Sequence, residues 1–467
     1  MRILFLSLIS AIINIVSTLY KNIENSNLDD NVLKIVDNIT KSPFDIDRKY
    51  RGLVLKNGLK VVLVSDSQTN FSAAALTVAI GTWHRRSRND PVEYMGMAHF
   101  VEHMLFQGSK KYPQKSEFWN FVDNHSGDKN AYTSDDRTTF YFTIASDYFA
   151  QALEINPVNF MTRVNMSFRT QQIVRSSIDK SHRDLFRNIK WSNFFIDPLF
   201  AEESVVNEVD AIQSEFDIYS KLDAWRLDQV YRSLCDRVEG FNAFTVGSKE
   251  TLLQSAERRN VTLSSQAKKF FTENYSSNIM ALSIVAGGQN LDQMAEMAAK
   301  HFGKIANKNL TRKIWQSPYG RNFLGKQLNV AALTDQKMLH VNFPVGLDMV
   351  PFRHKLAQRY VGRFFLSSDP GTFTYKLKEE NLASAVGWDC DSPGRGSILC
   401  QVSFSLTEKG LREGYTIVNR LFTYLNEIVN NHLDEEWIFE ENKQLMSAKF
   451  ISQFCCLEEF QEKQTME

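Results

Sequence analysis

The chain has no paired-cysteine motif. Its five cysteines, Cys235, Cys390, Cys400, Cys455 and Cys456, form neither a CxxC nor a zinc-finger spacing. That excludes a thiolate metal cluster and a thioredoxin-like redox motif, and the cysteines read as mostly reduced, buried thiols. Net charge is absent too, since 54 Lys and Arg balance 54 Asp and Glu. No global basic field exists to hold a nucleic-acid backbone or an anionic membrane, so nucleic acid is not expected as a partner. Beyond the amino terminus there is no apolar run near the roughly 20 residues of a membrane span, so the body is not expected to insert stably. Fibrous and disordered classes fall away as well, because 43% hydrophobic and 23% charged residues are globular values.

What is present is enough chain for two or three cores: 467 residues at roughly 150 per domain. At the start, Arg2 precedes the apolar run ILFLSLISAIINIV, which matches a secretory signal over residues 1–22 better than a span; a signal anchor or buried helix are the alternatives. A used signal implies the secretory pathway, and otherwise the cytoplasm. Residues 23–43 form a polar lead-in, with order expected to begin at RGLVLKNGLKVVLVSDS, where apolar stretches flank the turn-forming Asn57-Gly58 and predict a hairpin. FSAAALTVAIG reads as a strand buried on both faces. NAYTSDDRTTFYFTI alternates as a strand or hairpin, FAEESVVNEVDAIQSEFDIY has a helical period, and NIMALSIVAGG is another strand.

A polar link follows, and the order of elements starts over. LNVAALTDQKMLHVNFPVG predicts strands, FRHKLAQRYVGRFFL a helix, GSILCQVSFSLTEKG a strand and LREGYTIVNRLFTYLNEIVNN one long amphipathic helix. The fold class is α+β, in two units: 44–308, with an atypical segment at 156–190, and 309–467, a candidate degenerate copy.

The chemistry concentrates in GMAHFVEHMLFQGSKKYP, residues 96–113. Four residues apart on a helix, His99 and His103 share a face and can offer imidazole nitrogens to one ion. Glu102 sits on the adjoining edge, placed to take a proton from an attacking water. The pattern is the inverted zinc-protease motif, HxxEH. The bland reading is two satisfied core histidines, yet neighbours that are only Ala, Phe, Val, Met and Leu offer them no polar partner. A tetrahedral zinc needs one more protein ligand. NEVDAIQSEF places Glu208 and Glu215 on one helical face, Glu215 as the third ligand and Glu208 as the carboxylate that orients a histidine. Against this stands the reading of both as solvated surface acids.

HFVEHMLFQGSKKYP, KNAYTSDDRTTFYF, DPLF, NEVDAIQSEF, DAWRL and GSKETL, in that order, resemble the insulin-degrading enzyme and nardilysin group of pitrilysin-type, inverted-motif zinc metallopeptidases, from about residue 44 onward. The resemblance implies tandem homologous domains, each a mixed sheet covered by helices, one zinc ion per chain, and His99, His103 and Glu215 as its ligands. It implies Glu102 as general base, Glu208 as support, Asn130 and Ala131 beside a substrate added as a strand, and Tyr132 and Phe106 as aromatic pocket walls. The activity implied is hydrolysis of short or flexible peptides. The sequence departs from the group at 156–190, which lengthens the His103–Glu215 interval by about 35 residues, and at LSSDPGTF, which keeps only Pro370 and Gly371 of a glycine-rich anchoring run. It also stops partway through the second unit. A catalytically impaired peptide-binding module and a truncated fragment therefore remain as alternatives, and a polypeptide carrying the missing half, or a second copy, as partners besides peptides.

Overall fold

A computed structural model describes residues 31–42, 45–84, 94–114, 117–153, 191–235, 241, 244–320, 323–345, 355–394, 397–432 and 435–452. The signal region, the atypical segment 156–190 and Cys455–Cys456 lie outside them. The chain separates into two compact units, one of 1–40, 46–217 and 244–312, the other of 41–45, 218–243 and 313–467. No described helix is long and apolar enough to cross a membrane.

The first unit is built on a seven-stranded mixed sheet in the order β1-β2-β3-β7-β4-β6-β5. Its strands are β1 (Val32–Val36), β2 (Lys49–Leu55), β3 (Lys60–Asp66), β4 (Phe71–Val78), β5 (Asp128–Thr133), β6 (Thr138–Ala145) and β7 (Met280–Gly287). The β2–β3 hairpin turns at Asn57-Gly58 as the sequence predicts; Gly58 holds φ +80°, the left-handed region open to glycine. β3 and β7 pair in parallel and every other neighbour is antiparallel. β4 is central and almost wholly buried, matching its Ala-rich, two-faced composition. Between sheet and helices lies an aromatic core: Phe142 meets Trp191 at 5.1 Å and Phe149 at 5.9 Å between ring centroids. Each such ring contributes about 1.5–3 kcal/mol by leaving water. Order begins earlier than the sequence predicts, because β1 adds itself to β2. Only Ile35 of β1 is buried, so the strand is held by its backbone ladder, which leaves no apolar pattern to read. Beside it Arg51 bridges Asp37 and Asp292.

In chain order the main helices are α1 (Met97–Leu105), α2 (Glu117–Asn124), α3 (Ser146–Leu153), α4 (Glu202–Tyr219), α5 (Asp223–Leu234), α6 (Leu263–Asn274), α7 (Leu291–Phe302), α8 (Lys355–Leu366), α9 (Phe373–Glu379), α10 (Gly414–Asn431) and α11 (Glu436–Ser452). α1 packs on β5, β6 and α6, and α7 on β2 and β3.

The second unit has a three-stranded antiparallel sheet, β8 (Met338–Val345), β10 (Ser397–Leu406) and β9 (Ala383–Gly394), with β10 in the middle. Phe365, Phe373, Leu377, Val402, Phe404, Ile417 and Leu421 form its core. Three expectations change here. Of LNVAALTDQKMLHVNFPVG only the last part is a strand: Asp223 of α5 accepts from the Leu333 N–H at 2.9 and 3.0 Å and the Thr334 N–H at 3.0 Å, so a carboxylate replaces the ladder. The long terminal helix divides at Glu413 into a short helix, Glu408–Arg412, capped by Thr407, and α10. Cys390 and Cys400 are not reduced thiols; they stand opposite each other in the β9–β10 ladder and form a disulfide, whereas Cys235 is buried and reduced.

Candidate metal centre

α1 opens at Gly96, with φ +86°. A Cβ there would lie 2.5 Å from the Gly247 Cα, and one on Gly247 2.8 Å from the Gly96 Cα. Two glycines in contact thus let the 246–247 loop touch the start of the helix. Met97, Ala98, Phe100, Val101, Met104 and Leu105 are buried, which pins α1 in register and fixes the direction of its polar residues.

His99 and His103 face each other with Nε2 atoms 3.3 Å apart and rings nearly perpendicular, at 84°. Glu215 of α4 brings Oε2 to 3.3 Å from His99 Nε2 and Oε1 to 3.8 Å from His103 Nε2. Donors set tetrahedrally at about 2.0–2.1 Å from an ion stand roughly 3.3 Å apart, so the spacing suits zinc. The far nitrogens say the same. His99 Nδ1 donates to the Val246 carbonyl at 2.9 Å and His103 Nδ1 to Glu208 Oε2 at 3.0 Å. Both partners can only accept, so each neutral ring carries its proton on Nδ1 and turns a lone pair inward. Two imidazole lone pairs and a carboxylate then point at one another, an arrangement that repels itself without a cation. Among the described residues this is the group of three able to hold a metal ion.

Burial, reinforced by the His103 charge, pushes His99 down to about 4, which keeps it neutral for ligation. His103 is pulled down by burial but raised overall by its Glu208 hydrogen bond and by the charges of Glu102, Glu215 and Glu208. Burial raises Glu215, partly offset by His103. Glu102 is 6% exposed and burial lifts it to about 7 against a hydrogen bond from Thr133, close to where a general base is most effective.

The expected substrate-side residues lie on or near β5, which with β1 is one of the two edge strands of the seven-stranded sheet among the described residues. Asn130 is exposed and its Oδ1 accepts from the Ala131 N–H at 2.8 Å. Ala131 and Tyr132 are half-buried. Phe106 packs at 5.1 Å on Trp119 and 5.9 Å on Phe194, lining a small cavity with both and with Tyr112 and Phe118. Three contributors escape a reading by residue type: the Val246 carbonyl, which carries no side-chain signal, the Gly96–Gly247 contact and Thr133. Gly247 and Thr133 do fall inside the GSKETL and KNAYTS stretches.

Comparison with known proteins agrees with this architecture. Residues 60–182 match Insulinase (peptidase family M16) and residues 264–446 match the peptidase M16 inactive domain; Glu208 and Glu215 fall between the two matches. Human insulin-degrading enzyme is 30% identical over 90% of this chain and 37% of its own length, and the putative zinc protease mug138 of Schizosaccharomyces pombe is 30% identical over 86% and 37%. The chain thus spans well under half the length of these relatives. The crystal structure of pitrilysin superposes with a TM-score of 0.71 at 25% identity, over 91% of this chain and 40% of that one. A Helicobacter pylori protease, at 18% identity and TM-score 0.59 over 86% of this chain and 85% of its own, shares the fold. With both halves of the chain matched to one family and relatives aligned along nine-tenths of it, the chain belongs to peptidase family M16, in its insulin-degrading-enzyme-like group.

Proposed function

We propose that the chain is a zinc-dependent endopeptidase acting on short or flexible peptides. One observation carries the reading: His99, His103 and Glu215 aim their free donor atoms at a common point while Val246 and Glu208 hold the imidazoles from behind. Zinc held there supplies Lewis acidity, polarising a peptide carbonyl and acidifying water. Glu102, buried and held near neutral pKa, takes the proton from the attacking water and delivers it to the leaving amine. β5, an edge strand among the described residues, offers backbone groups to an extended peptide. Docking by strand addition selects flexible chains and tolerates varied side chains. An arriving strand first displaces the Asn130 side chain from the Ala131 N–H.

The test is a pair of variants on the full chain with a quenched-fluorescent peptide. Glu102→Gln should retain one zinc and lose about 10²–10⁴-fold in turnover, while chelation should abolish wild-type cleavage reversibly. Turnover that survives Glu102→Gln, or a wild-type chain that takes up no zinc, overturns the reading.

A further inference from the structure

Thr133 is the last residue of β5, and its hydroxyl donates to Glu102 Oε2. Its own position is fixed from inside. Thr133 pairs with Thr138 across the β5–β6 ladder, the two hydroxyl oxygens are 3.1 Å apart, and Thr138 is wholly buried and donates to the Ile80 carbonyl at 2.9 Å. Beyond them the buried Tyr275 hydroxyl lies beside Thr138 without completing a hydrogen bond to it. The buried Glu102 carboxylate, next to the two histidines of α1, thus meets the Thr133 hydroxyl through one of its two oxygens. With Oε2 engaged by Thr133, Oε1 is the oxygen left for the proton transfer.

Resting on the peptidase reading above, we propose that Thr133 is a positioning residue for the base, and that β5 therefore couples two tasks. Ala131, two residues earlier on the strand, faces the docking peptide, while Thr133 sets the angle of the group that takes the proton.

Thr133→Val removes the donor and keeps the shape; Thr133→Ser restores the donor. In the zinc-loaded full chain, Thr133→Val should lower kcat about 10- to 100-fold with KM and zinc content unchanged, the loss of one hydrogen bond to a charged group, and Thr133→Ser should recover most of it. In crystals of the metal-free variants, Glu102 should leave its present rotamer in Thr133→Val and keep it in Thr133→Ser. A Thr133→Val protein with wild-type kcat and an unmoved Glu102 overturns the proposal, as does an equal loss in both variants. Failure of the peptidase reading looks different: there Glu102→Gln itself leaves turnover intact.

Discussion

In the first unit α1 lies against β5 and β6 and gives three of its nine positions to His99, Glu102 and His103. In the second unit α8 lies against β9, and there Phe365, wholly buried, stacks on Trp388 at 5.4 Å and meets Tyr424 at 6.0 Å. Both are helices laid on a sheet, and both satisfy the need to bury one face. The second does so mainly with rings, whose polar atoms bond to the helix backbone: Trp388 Nε1 donates to the Gln358 carbonyl at 2.8 Å and the Tyr424 hydroxyl to the Phe364 carbonyl at 3.0 Å. The first places a carboxylate and two imidazoles at low exposure, which costs stability unless something compensates. Hydrogen bonds from the histidines to Val246 and Glu208 and from Thr133 to Glu102 compensate in part, and a cation would complete it. The difference between the units is therefore a trade of packing for charge at one helix face, and each side of it can be removed separately.

The largest effect should come from removing a ligand. His103→Ala should abolish retention of zinc through dialysis, read by elemental analysis. His340→Ala should not, because His340 of β8 spends its Nδ1 on Gln401 at 2.7 Å and belongs to no metal-holding group among the described residues. Equal metal loss in both variants would break the comparison. Next is the packing side: Phe365→Ala should destabilise the second unit by about 3–5 kcal/mol in chemical denaturation, with zinc stoichiometry unchanged.

A smaller effect concerns pH. Glu102 in the folded, metal-free chain has its pKa raised from 4.5 to about 7, so between those values the folded state binds the extra proton, and its stabilisation is lost as pH rises through 7. His99 is lowered from 6.5 to about 4; there the unfolded state binds the extra proton, and stability rises with pH across that window. The two slopes oppose each other in the wild type. Glu102→Gln should make the His99 slope between pH 4 and 6.5 steeper, with the raised Glu215 still opposing it, and at pH 8 should gain up to about 3 kcal/mol over the metal-free wild type. A wild-type curve with the same slope as the variant would show that Glu102 does not titrate as a buried acid.

Legibility in the sequence followed the kind of force involved. The β2–β3 hairpin, β4, α4 and β7 were readable because burial imposes a period on side chains, and HxxEH because metal ligation restricts residue types at a fixed helical spacing. β1 was not readable, being an edge strand with one buried residue. The stretch before β8 misled because its N–H groups go to Asp223, a long-range choice that no local pattern records. At the site, Glu208 and Glu215 were legible as partners through their shared helix face and the NEVDAIQSEF resemblance, since the 111 residues between His103 and Glu215 leave convergence to the fold. Val246 was invisible, because a carbonyl has no letter.

The finest test lies behind His103. Glu208 is half-buried and its Oε2 is 3.0 Å from His103 Nδ1; its hydrogen bond and ion pair are with that ring, so it would act on a bound ion only through His103. Removing it should leave the three ligands in place and let the His103 ring rotate and lose basicity, which in comparable sites costs about 10- to 100-fold in metal affinity. Glu208→Ala should show that loss in competition with a chromogenic chelator. Glu208→Gln keeps an acceptor for the Nδ1 proton and gives up only the charge, so its loss should be the smaller of the two. If Glu208→Ala bound zinc like the wild type, the lone pair of His103 would need no support from behind, and the distinction drawn between a helix face built for packing and one built for a cation would rest on the ligands alone.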